Sequence, residues 1–160
     1  MEITLFEPRI PQNTGNIART CAAFDITLNL IEPLGFKIED KYLKRAGLDY
    51  WPLVRINNYK NFDDFLNAKQ KNRVISFSKK NGIFLKDFIF DPNDVLLFGR
   101  EDRGLPKEII KKSDSLISIF MPNIDIPDNT KKGVRSLNLS VACGIAIYEA
   151  YKQINLQNNN

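Results

Sequence analysis

A chain of 160 residues with 43% hydrophobic and 26% charged side chains has the balance of one globular domain able to bury a real core, and no apolar run approaches the roughly 20 residues of a membrane span. The net charge of +4 and pI of about 9.0 are compatible with a polyanionic partner. Histidine is absent and there is no CxxC pair or tight carboxylate cluster, so the commonest general base is missing and no metal site is expected. The start, Met1-Glu2-Ile3-Thr4, has no basic region leading into an apolar stretch. No signal peptide is read, and a cytoplasmic protein is expected. Cys21 and Cys143, far apart in sequence, read as two reduced core thiols.

Ile3 to Phe6 reads as a short apolar strand, followed by a loop punctuated by Pro8 and Pro11. Asn13 to Phe24 follows as a helix, because Ile17, Cys21 and Phe24 fall on one face at helical spacing. Thr27 to Ile31 is a second strand, and Asp40 to Ala46 a basic helical turn ended by Gly47. Val54 to Ile56 is a possible strand, Phe62 to Lys69 a helix, and Val74 to Phe77 a strand before the loop Lys79-Lys80-Asn81-Gly82. Phe84 to Phe90 is ambiguous. Val95 to Phe98 is a buried strand feeding Gly99, and Pro106 starts a short helix at its favoured first-turn position. Leu116 to Met121 is a strand, and Leu137 to Gln153 the longest helix, apolar on most sides. Such a helix must be covered, and in so short a chain a second subunit is a ready cover. Residues 1–154 form one domain, and Asn155 to Asn160 a polar, disordered tail. The alternation of strand and helix predicts an α/β fold with a mostly parallel sheet, whose ligands bind at the carboxyl ends of the strands.

Three islands of unlike chemistry sit at those strand ends and helix starts. In Pro11-Gln12-Asn13-Thr14-Gly15-Asn16-Ile17-Ala18-Arg19, Asn13 is suited to cap the helix, and Arg19 shares a face with Asn16 one turn beyond a helix N-terminus, where phosphates bind readily. A merely solvated cation is the plainer alternative. In Gly99-Arg100-Glu101-Asp102-Arg103-Gly104-Leu105-Pro106, two glycines bracket Glu101 in a tight turn. Neither the dinucleotide fingerprint nor a P-loop matches, and by itself Glu101 reads as a cap on the following turn. In Ser136-Leu137-Asn138-Leu139-Ser140, three polar residues precede an apolar helix, more than one N-cap needs.

Taken in order, N-T-G-N-I-x-R, F-G-x-E-x-x-G-L-P and S-L-N-L-S resemble the three motifs of the SpoU branch of the SPOUT RNA methyltransferases. Ile31-Glu32-Pro33-Leu34-Gly35-Phe36 and Lys44-Arg45-Ala46-Gly47-Leu48-Asp49-Tyr50 are similar to the TrmL-type subgroup, so the resemblance covers nearly the whole chain. It implies a SPOUT-type sheet with helices on both faces and a C-terminal trefoil knot. It implies S-adenosylmethionine-dependent 2′-O-methylation of the wobble nucleotide in the tRNA anticodon stem-loop, by a homodimer without a metal. Donor contacts would fall on Phe77, Gly99, Ile119, Ser136 and Leu137. Roles near the acceptor would fall on Arg19, Glu101 and Asn138, with Ser140 close by. An arginine pKa above about 12 favours a phosphate anchor and oxyanion stabiliser over a free base at Arg19. The stretch Asn123 to Gly133 is longer than in the subgroup, and Lys131, Lys132 and Arg135 offer either an electrostatic contact to tRNA or a solvated basic loop. Other readings are methylation of another tRNA or rRNA ribose, a non-catalytic RNA-binding or donor-binding module, and a nucleotide-dependent oxidoreductase. The missing glycine fingerprint speaks against the last.

Overall fold

The computed structural model describes residues 1–37, 48–122 and 133–156. Seven strands form one sheet: β1 Glu2–Phe6, β2 Thr27–Ile31, β3 Ile56–Tyr59, β4 Val74–Ser78, β5 Ile83–Phe84, β6 Val95–Phe98 and β7 Ser115–Ser118. Their order is β3-β2-β1-β6-β4-β7-β5, and every strand pairing is parallel. Ile3 faces Leu28 on one side and Leu96 on the other, and Leu5 likewise faces Leu30 and Phe98. Helices cover both faces of the sheet: β6 is apolar on both, whereas Thr4, Asn29 and Ser76 place buried polar side chains on one face of the other central strands, where Asn29 Nδ2 donates to the Thr4 hydroxyl. Ile3, Leu5, Leu28, Leu30, Ile75 and Leu96 point to one layer, with Ile17 and Cys21 of helix α1 (Pro11–Ala23) and Cys143, Ala146, Ile147 and Ala150 of helix α4 (Leu139–Tyr151). Phe6, Ile31, Val95 and Leu97 point to the other, with Phe62 and Phe65 of helix α2 (Phe62–Ala68) and Ile109 of helix α3 (Lys107–Lys111). Among the described residues no helix is long and apolar enough to cross a membrane.

Both cysteines are buried, free thiols. Burial pushes Cys21 up to about 12 and Cys143 well above its ordinary value, so both stay protonated and pack as small apolar groups.

Several boundaries differ from the sequence pattern. Helix α1 opens at Pro11, with Ile10 rather than Asn13 at its cap. The expected strand at Val54 to Ile56 lies at Ile56–Tyr59, because a 3-10 helix at Leu48–Leu53 precedes it and Val54 N–H bonds back to the Trp51 carbonyl. The ambiguous stretch from Phe84 divides into the end of β5 and a 3-10 turn, Leu85–Asp87. Strand β7 ends at Ser118, and the next residues leave the sheet toward the cleft described below. Pro106 caps α3 from just outside it, and Asn138 caps α4, which gives way to a π-helical turn at Lys152–Leu156. The basic turn expected at Asp40 to Ala46, Lys131 and Lys132, and residues 157–160 of the tail lie outside the described residues. The expected knot depends on the path of 123–132, which lies outside them too.

Candidate active site

The carboxyl ends of β4, β6 and β7 open into one cleft of about 710 Å³. The loop after β1 reaches it through Ile10, and the segment leading into α4 closes it with residues from Arg135 to Leu139. This is the sheet edge at which parallel α/β folds bind ligands. The floor is aromatic: the Phe77 and Phe98 rings stack with centroids 4.4 Å apart and planes 17° apart.

The loop after β6 is drawn tight by mutual backbone bonds between Arg100 and Gly104, the Gly104 N–H donating over 2.8 Å and the Arg100 N–H over 3.3 Å. Gly99 has to be glycine here, since a Cβ would lie 2.2 Å from the Gly104 carbonyl carbon. Gly104 takes a φ of +71°, in the region open to glycine. Glu101 therefore stands at the tip of a stiff turn.

That carboxylate is spent on the first helix rather than on the following turn. Glu101 Oε2 accepts the Arg9 N–H at 2.8 Å, and Oε1 accepts the Ile10 N–H at 3.2 Å and Asn13 Nδ2 at 3.1 Å. An acceptor-only anion thus satisfies donors at the start of α1, where the helix dipole favours negative charge. The same contact fixes a line of amides. Facing a carboxylate, Asn13 must present Nδ2 to it, which leaves Asn13 Oδ1 to accept Asn138 Nδ2 at 2.9 Å. Asn138 Oδ1 then faces Ser140 and accepts its N–H at 2.8 Å and its hydroxyl at 2.7 Å. Glu101, Asn13, Asn138 and Ser140 are joined in that order across segments as far apart as 125 residues.

A second set of charges holds the rim. Glu7, in the left-handed region with φ 46°, receives Arg100 Nη1 at 3.1 Å and Arg9 Nη2 at 3.3 Å. Arg100 also grips Asp102 with both ends of its fork, at 2.8 and 2.7 Å. The Arg100 bond, with its charge, lowers Asp102 to about 2, and Asp102 and Glu7 raise Arg100. Arg103 and Arg135 are exposed cations on the same rim.

Phe77, Gly99, Ile119, Ser136, Leu137, Glu101 and Asn138 all line this cleft. Ser140 is joined to it through Asn138. Arg19 is not among the lining residues: it lies six positions past Asn13, roughly 9 Å along the helix axis, on an exposed face. There its guanidinium carbon sits 4.8 Å from the centre of the Tyr50 ring. Sequence reasoning missed Asn13 as a cleft residue, because an Asn two positions after a proline reads as a local cap. It also missed Phe98, which reads simply as strand core. Their partners are 88 or more residues away or across the sheet.

A parallel α/β domain with its cleft at the carboxyl edge, walled by a glycine-bracketed loop and amides fixed in direction, has the ligand-binding edge of the α/β class. The sequence profile of the SpoU rRNA Methylase family matches residues 1–148. A Lactococcus lactis relative is 48% identical, covering 94% of this chain and 88% of its own length. A Saccharophagus degradans relative, a tRNA (cytidine(34)-2′-O)-methyltransferase, is 42% identical and covers 95% of this chain and 94% of its own length. A solved structure described as "Structural insights into the 2-OH methylation of C/U34 on tRNA" superposes with a TM-score of 0.87 at 45% identity, covering 99% of this chain and 97% of that one. The chain belongs to the SpoU methylase family.

Proposed function

We propose that the protein transfers a methyl group from S-adenosylmethionine to the 2′-oxygen of nucleotide 34, the wobble position, in the anticodon stem-loop of cytoplasmic tRNA. The observation that carries the reading is the single cleft shared by the β6 loop, Asn13 and the Asn138 segment, in a chain whose 42% identical relative has that activity by name. The donor fits this cleft by its chemistry. The stacked Phe77 and Phe98 floor, with Ile119, Leu137 and Leu139, suits an adenosine. The backbone around Gly99 and Ser136 offers polar edges close by. Phe77, Gly99, Ile119, Ser136 and Leu137 would hold the donor, which supplies an electrophilic methyl group on a sulfonium.

The protein's own task is alignment and charge. Asn138 Nδ2 keeps a second N–H beyond its bond to Asn13, and the Ser140 hydroxyl oxygen retains acceptor capacity. Both can hold a ribose hydroxyl in one orientation, and Glu101 prevents the amides from flipping. The hydroxyl proton leaves to water or phosphate. Arg19 would stabilise oxyanion character while gripping a phosphate. Exposed Arg103 and Arg135 would meet the RNA backbone. An anticodon loop suits a chain of this size, since exposed single-stranded nucleotides are the usual targets of specific RNA recognition.

Arg19, outside the cleft of its own chain, would act at a site shared between subunits of a homodimer. The α4 face bearing Val141, Ile145 and Tyr148, at 50%, 39% and 58% exposure, is the surface a second copy would cover. The test uses an anticodon stem-loop and labelled donor. A substrate with 2′-deoxyribose at position 34 alone is expected to accept no label, whereas the all-ribose form accepts one methyl per molecule. Equal labelling of both would refute the assignment.

A further inference from the structure

The Tyr50 ring lies against Arg19, a proposed reacting-site residue that neither lines its own cleft nor bonds to a residue that does. Arginine has one of the largest rotamer entropies of any side chain, so an exposed Arg19 needs something to order it before it can grip a phosphate. A carboxylate would order it but would also neutralise it. Among the residues whose side chains are described none does: α1 contains no acidic side chain, and Asp25 is paired with Arg55 at 3.0 Å. An aromatic face orders a guanidinium without consuming its N–H groups or cancelling its charge. The Tyr50 ring, 4.8 Å from the guanidinium carbon, is placed to do this.

The ring also has a firm mounting. Tyr50 belongs to the 3-10 helix Leu48–Leu53, which contains Pro52, and the adjacent Trp51 and Val54 pack into the core layer shared with α1. The backbone bond from Val54 to Trp51 closes the turn. Helix α1 is equally fixed, with Ile17, Ala18 and Cys21 fully buried around Arg19. Two rigid elements thus present a flexible cation on an aromatic plate.

We propose that Tyr50 is a positioning residue for methyl transfer, holding the Arg19 guanidinium ordered and unneutralised so that its N–H edge meets the RNA. This rests on the reading of Arg19 given above. The test measures single-turnover methyl transfer to the anticodon stem-loop, S-adenosylmethionine affinity and thermal unfolding for Tyr50→Phe, Tyr50→Leu, Tyr50→Ala and Arg19→Ala. Tyr50→Phe keeps the ring face and is expected within about twofold of wild type. Tyr50→Leu keeps apolar volume without the π face. It is expected to fall about tenfold in transfer rate, as Tyr50→Ala does, with donor affinity unchanged. Arg19→Ala is expected to lose more than either. Wild-type rates for Tyr50→Leu, with Arg19→Ala impaired, would overturn the role of Tyr50 and leave Arg19 standing. Wild-type rates for Arg19→Ala would instead refute the reading of Arg19 itself, and Tyr50 with it.

Discussion

Asn138 takes its direction from a charge it does not touch. Glu101 fixes Asn13, Asn13 fixes Asn138, and Asn138 keeps one N–H free while its Oδ1 holds the Ser140 hydroxyl. An amide has nearly the same shape either way round, so without an anchor at the end of the line both orientations would be populated. Glu101→Gln keeps the shape but supplies a donor where acceptors are needed. It is expected to slow methyl transfer by about 100-fold, in line with the loss of an oriented catalytic group. It is also expected to lower stability by about 1–2 kcal/mol, because the Arg9 and Ile10 N–H groups at the start of α1 lose a charged acceptor. Turnover and denaturant unfolding of the same variant check both effects. Unchanged stability with lost activity would show that Glu101 does not stabilise the start of α1.

At the scale of the elements, the loop after β6 is clamped to the loop after β1 through Arg100, Glu7 and Asp102. The Asp102 carboxyl, ordinarily near 3.8, is held at about 2, chiefly by its bond to Arg100. A depressed carboxyl contributes stability above its unfolded pKa and loses it as pH falls toward the folded value. Asp102→Asn is therefore expected to destabilise the protein at neutral pH, with the gap to wild type closing as pH falls from about 4 to 2. A gap independent of pH over that range would show that the charge is not what matters. The elements themselves were legible where burial is simple. Val95–Phe98 and Thr27–Ile31 are apolar runs between turn residues, and both lie as strands at those bounds. The cap of α1 was not legible, because its acceptor sits 91 positions from Ile10 in another loop. Asn13 is locally a good cap, and only the tertiary arrival of Glu101 frees it for the cleft. The strand at Ile56–Tyr59 was misplaced because its Asn57 and Asn58 look like turn residues; Asn57 instead bonds to Asn29 of the neighbouring strand at 3.0 Å.

For the whole molecule, the three sequence islands belong to one edge of one sheet, although their order in the chain gives no measure of their distance in space. The first and third islands meet through Asn13 and Asn138, and the second enters through Glu101. What a single chain leaves apart is Arg19, and α4 leaves an apolar face uncovered. The proposed homodimer would account for both. Tyr148→Lys combined with Val141→Asp is expected to convert a dimer into a folded monomer in sedimentation and to abolish methyl transfer while the fold persists. A wild-type protein that sediments as a monomer at assay concentration would contradict the shared site. The site of methylation is read by incubating the protein and labelled S-adenosylmethionine with total tRNA isolated from cells lacking this enzyme, then mapping the label. Methyl label is expected on the 2′-oxygen of the ribose at position 34 and nowhere else. Label on a base, or on a ribose outside the anticodon, would contradict it.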